Sequence, residues 1–163
     1  VTGMKFLSAP WRWKFICGQC GDEGGCIFCR ALAGDDRDSL VCFRGRKFFV
    51  MLNKFPYSSG HLMVAPHAHL ASPLQMAAGD LGEMWELTRR AMAVLQEAFH
   101  PDGFNIGMNI GKAAGAGIQD HFHQHVVPRW QGDANFMAVT GGTKVLSYDL
   151  ETVYTTVRAA FAR

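Results

Sequence analysis

The stretch His121-Phe122-His123-Gln124-His125-Val126-Val127 places an imidazole at every second position. A period of two belongs to an extended strand, whose successive side chains point to opposite faces. The three histidines then share one face, spaced by roughly 6–7 Å. Only seven histidines occur in 163 residues, so this row is too regular for chance. Neutral imidazole is a competent nucleophile near pH 7, because its unperturbed pKa is about 6.5. It can attack phosphorus and later leave, while its neighbours donate hydrogen bonds or hold the ring in one tautomer. A glycine-rich loop, Gly111-Lys112-Ala113-Ala114-Gly115-Ala116-Gly117, feeds into the row. Small residues let backbone N–H groups approach an anion closely, as in a phosphate cradle. The competing reading is a metal site, since His-x-His on a strand also suits a catalytic zinc.

The rest of the chain supplies a sheet for this row. Leu40–Phe43 and Lys47–Leu52 read as a hairpin around Arg44-Gly45-Arg46, and His61–Ala65 as the next strand after a break at Pro56–Gly60. A long helix is expected from Leu81 to Phe99. Asp80 stands at its N-cap with Glu83 at capping-box spacing, and Met84, Leu87, Ala91, Val94, Leu95 and Ala98 form one apolar stripe. Pro101-Asp102-Gly103 ends it, and His100 suits the negative end of its dipole. Arg89-Arg90 reads as a solvated face, and His61 as a strand-capping residue. Phe104–Asn109 is a further strand, and a closing helix follows Asp149 with Leu150, Val153, Tyr154, Val157 and Phe161 on one side. Strands, a helix, then strands with hairpin-type links predict an α+β fold with an antiparallel sheet of about five strands, one long helix and a C-terminal helix. The expected organisation is an N-terminal arm and cysteine loop over 1–25, a catalytic domain over 26–145, and a C-terminal helix over 146–163 packed on the same domain. The aromatic segment Phe6–Ile16 needs a surface to cover, on this domain or a second subunit. Trp130 is read as covering either the site formed by the histidine row or a partner subunit.

Composition narrows the function classes. Sixteen basic and fourteen acidic side chains leave a net charge of +2 without a polybasic run, which argues against nucleic-acid or membrane-surface binding. No apolar run approaches the ~18 residues of a membrane span, and the start of the chain carries no signal-peptide apolar region, so a cytoplasmic protein is expected. Half of the eighteen glycines fall in two short segments, one among the cysteines and one before the histidine row. Cys17-x-x-Cys20 and Cys26-x-x-Cys29 admit a local four-thiolate metal site, a redox pair at Cys17 and Cys20, or no metal at all. Cys42 reads as a small buried apolar residue.

The histidine row resembles the signature of the histidine triad superfamily. Phe49-Val50-Met51-Leu52-Asn53-Lys54-Phe55-Pro56 and Gly60-His61-Leu62-Met63-Val64-Ala65-Pro66 resemble that family's strand pair and proline-bearing turn, and Asn109-x-Gly111 with the glycine loop also fits. Val127-Pro128-Arg129-Trp130, Gly132-Asp133-x-Asn135-Phe136 and Ala9-Pro10-Trp11-Arg12 are similar to the bacterial diadenosine tetraphosphate phosphorylase and hydrolase branch, related to the fragile histidine triad hydrolases. The resemblance implies a nucleotide hydrolase or transferase acting at the α-phosphate of a dinucleoside polyphosphate or related adenine nucleotide. His123 would form a nucleotidyl-histidine, His125 would contact the phosphate and assist the leaving group, and His121 would complete the triad. Asn53 would meet the ribose, and Asn109, Gly115, Gly117 and Gln119 would line the phosphate approach. Two departures stand out: Gln124 replaces an apolar residue, and the loop is slightly longer, so Gln119 does not align cleanly. The resemblance further implies a structural zinc held by Cys26, Cys29, His69 and His121, with His67 as the alternative to His69, no organic cofactor, and a homodimer. A nucleoside phosphoramidase and a non-catalytic adenine-nucleotide-binding module are the rival readings.

Overall fold

The computed structural model describes residues 25–133 and 148–163. The aromatic arm, Cys17, Cys20, Asn135 and Phe136 lie outside the described residues. In chain order the elements are α1 (Ile27–Ala33), β1 (Val41–Arg44), β2 (Phe48–Leu52), β3 (Leu62–Pro66), α2 (Leu81–Phe99), β4 (Gly103–Met108), β5 (Gln124–Arg129) and α3 (Leu150–Phe161). The strands form one antiparallel sheet in the order β1-β2-β3-β5-β4, as the α+β reading expects.

Alternation sorts the sheet's side chains into two cores. Phe48, Val50, Leu52, Leu62, Val64, Phe122 and Val126 face α2 and α3, meeting Leu87, Ala91, Leu95, Tyr154 and Val157. Phe49, Met51, Met63 and Ala65 face the other way and are covered by Phe28 and Ala31 of α1. Both central strands are thereby buried along their whole length, which explains why β2 and β3 read as unbroken apolar runs. Burying each of the phenylalanines is worth about 1.5–3 kcal/mol. The register of β1 slips between Val41 and Phe43, a bulge that turns Phe43 together with Cys42 toward the helix-side core. There burial pushes its thiol up to about 12, so it serves as a small apolar residue.

The long helix has its expected bounds but not its expected cap. Asp80 adopts helical angles and makes no cap bond; its carboxylate reaches Lys47 Nζ at 2.6 Å. The Glu83 carboxylate instead accepts the backbone N–H groups of Arg46 and Lys47 at 2.6 and 3.0 Å, so both acids pin the β1–β2 turn to α2. Gly45 is required in that turn, since a Cβ there would lie 2.7 Å from Glu83 Oε1 and 2.8 Å from the Phe48 carbonyl oxygen. The Arg89-Arg90 pair also divides. Arg89 pairs with Glu86 in solvent, whereas the Arg90 guanidinium lies 4.3 Å from the centre of the Phe43 ring and donates to the Phe161 carbonyl at the end of α3. Asp149 does cap α3, accepting the Thr152 N–H at 2.9 Å. Among the described residues no helix is long and apolar enough to cross a membrane.

Candidate active site and metal-ligand cluster

Helix α1 was not legible in the cysteine- and glycine-rich segment, yet it organises half of the site. Cys26 precedes its first turn and Cys29 lies one turn on, so both sulfurs project from the same side. Cys26 Sγ lies 3.3 Å and Cys29 Sγ 3.7 Å from His121 Nδ1, and Cys29 Sγ lies 3.3 Å from His69 Nδ1. All four donor atoms fall within 4.8 Å of one another. Zinc bonded at ~2.3 Å to sulfur and ~2.0–2.1 Å to nitrogen would set S···N edges of about 3.5 Å in a tetrahedron, so the spacing fits that ion. The chemistry fits as well. His121 Nε2–H donates to the Pro66 carbonyl at 2.8 Å, which leaves the Nδ1 lone pair facing the thiols. Burial, reinforced by His69 and His123 and opposed by that carbonyl, holds His121 below the ordinary histidine range and hence neutral. Burial and the neighbouring Cys26 raise the Cys29 thiol, a crowding that a cation would reverse. His67 turns its ring toward Phe49 and stays outside this cluster.

The row itself starts earlier than the strand. His121 to His123 precede the ladder of β5, and the Phe122 N–H is taken by the Leu70 carbonyl at 2.7 Å. Side-chain alternation nevertheless holds. His121 and His123 both lie over the Phe28 ring, at 4.9 and 4.7 Å between centroids, and His123 meets His125 edge-on at 4.8 Å. Phe122 points the other way, onto Phe48. His123 is 6% exposed, and its Nδ1–H donates to the His121 carbonyl at 3.0 Å, leaving the Nε2 lone pair for a reacting partner. Burial, partly offset by that bond, keeps it below the usual histidine range, in the nucleophilic neutral form.

A fourth imidazole joins the row. His61 is fully buried, and its Nε2 lies 2.9 Å from His125 Nδ1. Its Nδ1 accepts the Tyr57 N–H at 3.1 Å, with the Asn53 amide nitrogen 3.4 Å away. The His61 proton therefore sits on Nε2 and is donated to His125, and neutral His125 carries its own proton on Nε2. Tyr57 stacks on His61 at 4.7 Å. His61 is thus part of the histidine cluster rather than a strand cap. It has the parity of Met63 and Ala65, but only the pairing of β3 with β5 brings that face to the triad.

The other expected residues lie around this centre. Asn53 accepts the Phe55 N–H at 2.9 Å on its side-chain oxygen. Asn109 is half-buried where the loop begins, and Gly115, Gly117 and Gln119 are exposed along it. Gly111 and Gly115 take left-sided φ values of 79° and 80° around a short turn at Lys112–Ala114. Ile118 returns the loop to the α1-side core. Trp130 donates its indole N–H to the Phe99 carbonyl at 3.2 Å, tying β5 to the end of α2.

Comparison with known proteins matches residues 35–132 to the HIT domain. AP-4-A phosphorylase of Mycobacterium tuberculosis is 40% identical over 111 residues, 68% of this chain and 57% of that protein. The chain thus spans little more than half the length of this curated relative. Bis(5'-adenosyl)-triphosphatase of Dictyostelium discoideum is 28% identical over 60% of this chain and 64% of its own. Among solved structures, a Zn-bound histidine triad family protein from Mycobacterium smegmatis superposes with a TM-score of 0.68 at 27% identity, covering 85% of this chain and 94% of that one.

Proposed function

The chain belongs to the HIT domain family, and from that footing we propose that it is an enzyme that attacks the α-phosphorus of a dinucleoside polyphosphate, as a phosphorylase or hydrolase, through a nucleotidyl-histidine intermediate. The observation that carries this reading is the opposed tautomers of two adjacent imidazoles. His123 has its proton on Nδ1, held by the His121 carbonyl, and its lone pair on Nε2. His125 has Nδ1 occupied by His61 and its proton on Nε2. One ring is set to attack and its neighbour to donate. His123 Nε2 forms a bond to the α-phosphorus while the bond to the bridging oxygen breaks, and the leaving oxygen takes the hydrogen bond or proton of His125 Nε2. A second acceptor, water or inorganic phosphate, then displaces the histidine from phosphorus. The names of the tuberculosis and Dictyostelium relatives support the substrate class.

Asn53 would meet the ribose, and Asn109 with the Gly115, Gly117 and Gln119 stretch would line the phosphates. Cys26, Cys29, His69 and His121 would hold a structural zinc. With four protein ligands it supplies a cross-link and leaves no open position for chemistry. The outer edge of β4 pairs with no strand among the described residues, which supports a homodimer that continues the sheet. Thiols arranged as metal ligands suit a reducing, cytoplasmic compartment.

Incubation with diadenosine tetraphosphate, with and without phosphate, tests the activity. ADP plus ATP marks phosphorolysis, and AMP plus ATP marks hydrolysis. His123→Asn should abolish turnover and the acid-labile nucleotidyl-protein while leaving the thermal midpoint largely intact. Undiminished turnover in that variant overturns the mechanism.

A further inference from the structure

Between the two histidines proposed for chemistry stands Gln124, a polar residue where the row otherwise alternates with apolar side chains. Its side chain points away from the imidazoles, into the α2 face, and is only 4% exposed. There the Thr88 hydroxyl, itself fully buried, lies 2.8 Å from the Gln124 amide oxygen and 2.7 Å from the Met84 carbonyl oxygen. The hydroxyl thus lies within hydrogen-bond distance of both oxygens and ties Gln124 to the backbone of α2. A buried amide is costly unless bonded, so it fixes direction where an apolar side chain would fix only depth.

Position 124 is where that direction matters. Gln124 is the first ladder residue of β5, set opposite Val64 of β3 and Met108 of β4. Upstream, His121 to His123 run outside the ladder. The placement of His123 therefore depends on how residue 124 enters the sheet. Both ring geometries follow from it: the His123 bond to the His121 carbonyl, and the edge-on meeting of His123 with His125.

We infer that Thr88 and Gln124 are positioning residues, a buried polar latch from α2 that sets the orientation of His123 relative to His125 and, through its bond to the His121 carbonyl, the tautomer of His123. The inference rests on the catalytic reading for its kinetic consequence, but not for its spectroscopic one. The latch acts from behind the strand and touches no substrate, so its loss should lower kcat rather than raise KM.

Three variants test this: Thr88→Val, which is close in shape and lacks the hydroxyl, Gln124→Leu, and the double variant. Ring-nitrogen NMR of 15N-histidine-labelled protein reads the tautomers, calorimetry reads stability, and steady-state kinetics on diadenosine tetraphosphate read turnover. Thr88→Val should mix the Nδ1–H and Nε2–H signatures of His123 and lower kcat by about 10- to 100-fold, the usual scale for a slightly misplaced reacting group, with KM within about twofold. Thr88→Ser, which keeps the hydroxyl, should restore the wild-type spectrum. The double variant removes both polar partners and should regain the thermal midpoint. If its kcat stays low and its tautomers stay mixed, the latch acts on the imidazoles. If turnover and spectrum return with stability, the pair is merely structural and the inference fails. Should the wild-type protein not turn over this substrate, the catalytic reading fails separately, and unchanged ring spectra in Thr88→Val would then overturn the latch on their own.

Discussion

The 2.9 Å contact between His61 and His125 holds one proton, and the Tyr57 N–H decides which ring owns it. Because that N–H occupies His61 Nδ1, the proton lies on His61 Nε2, and His125 has only its far nitrogen left to donate. Replacing His61 with Phe keeps a ring of similar size and deletes the donor. His61→Phe should therefore lower kcat by about 10²-fold, a typical loss for a misassigned general acid, with a smaller change in KM. Steady-state kinetics would show it, and kcat within about twofold of wild type would refute the relay. The triad was legible because alternation is a local property of the sequence. His61 was not, because its role depends on β3 pairing with β5 across more than sixty residues of chain. His69 was reached through the family resemblance, because its meeting with the cysteines depends on where the chain leaves β3.

At the scale of elements, Glu83 shows how a motif can be right in position and wrong in purpose. Spacing predicted a capping box, but the carboxylate serves the β1–β2 turn instead. Burial works against its charge, yet bonds from the Lys47, Arg46 and Phe48 N–H groups and the nearby Arg46 hold its carboxyl below the ordinary range. A depressed carboxyl pKa contributes stability above the unfolded value of about 4.3, and that stability disappears as pH falls through the folded value. Glu83→Gln should thus cost about 1–2 kcal/mol at pH 7, the lower part of the range for bonds to a charged group near solvent. The gap between wild type and variant should narrow below about pH 4. Chemical denaturation at pH 7 and pH 3.5 would check this, and a gap independent of pH would refute it. The strands and both long helices were legible from periodicity within a residue or two, except that the ladder of β5 begins three residues into the histidine row. Helix α1 was not, since seven residues show little period and its stability comes from Phe28 and Ala31 packing under the sheet.

Across the whole molecule, the sheet separates a helix-backed core from a thinner core closed by α1, and the histidine row lies on the thinner side. That side depends on the cluster joining Cys26 and Cys29 to His69 and His121. Cys26→Ser combined with Cys29→Ser should drop bound zinc from about one ion per chain to near zero and lower the thermal midpoint by at least about 5 °C. Elemental analysis and calorimetry would check both, and an unchanged midpoint would refute a structural metal. Phe28 has a further consequence. It stands between the two cysteines in sequence, is fully buried, and lies under both His121 and His123. A half-rotation of that ring about its own axis has to push two imidazoles aside, one from the cysteine–histidine cluster and one from the pair proposed for chemistry. The flip rate of a single aromatic ring thus gauges how tightly the scaffold's fastening and its chemistry are clamped together, without any substrate being present.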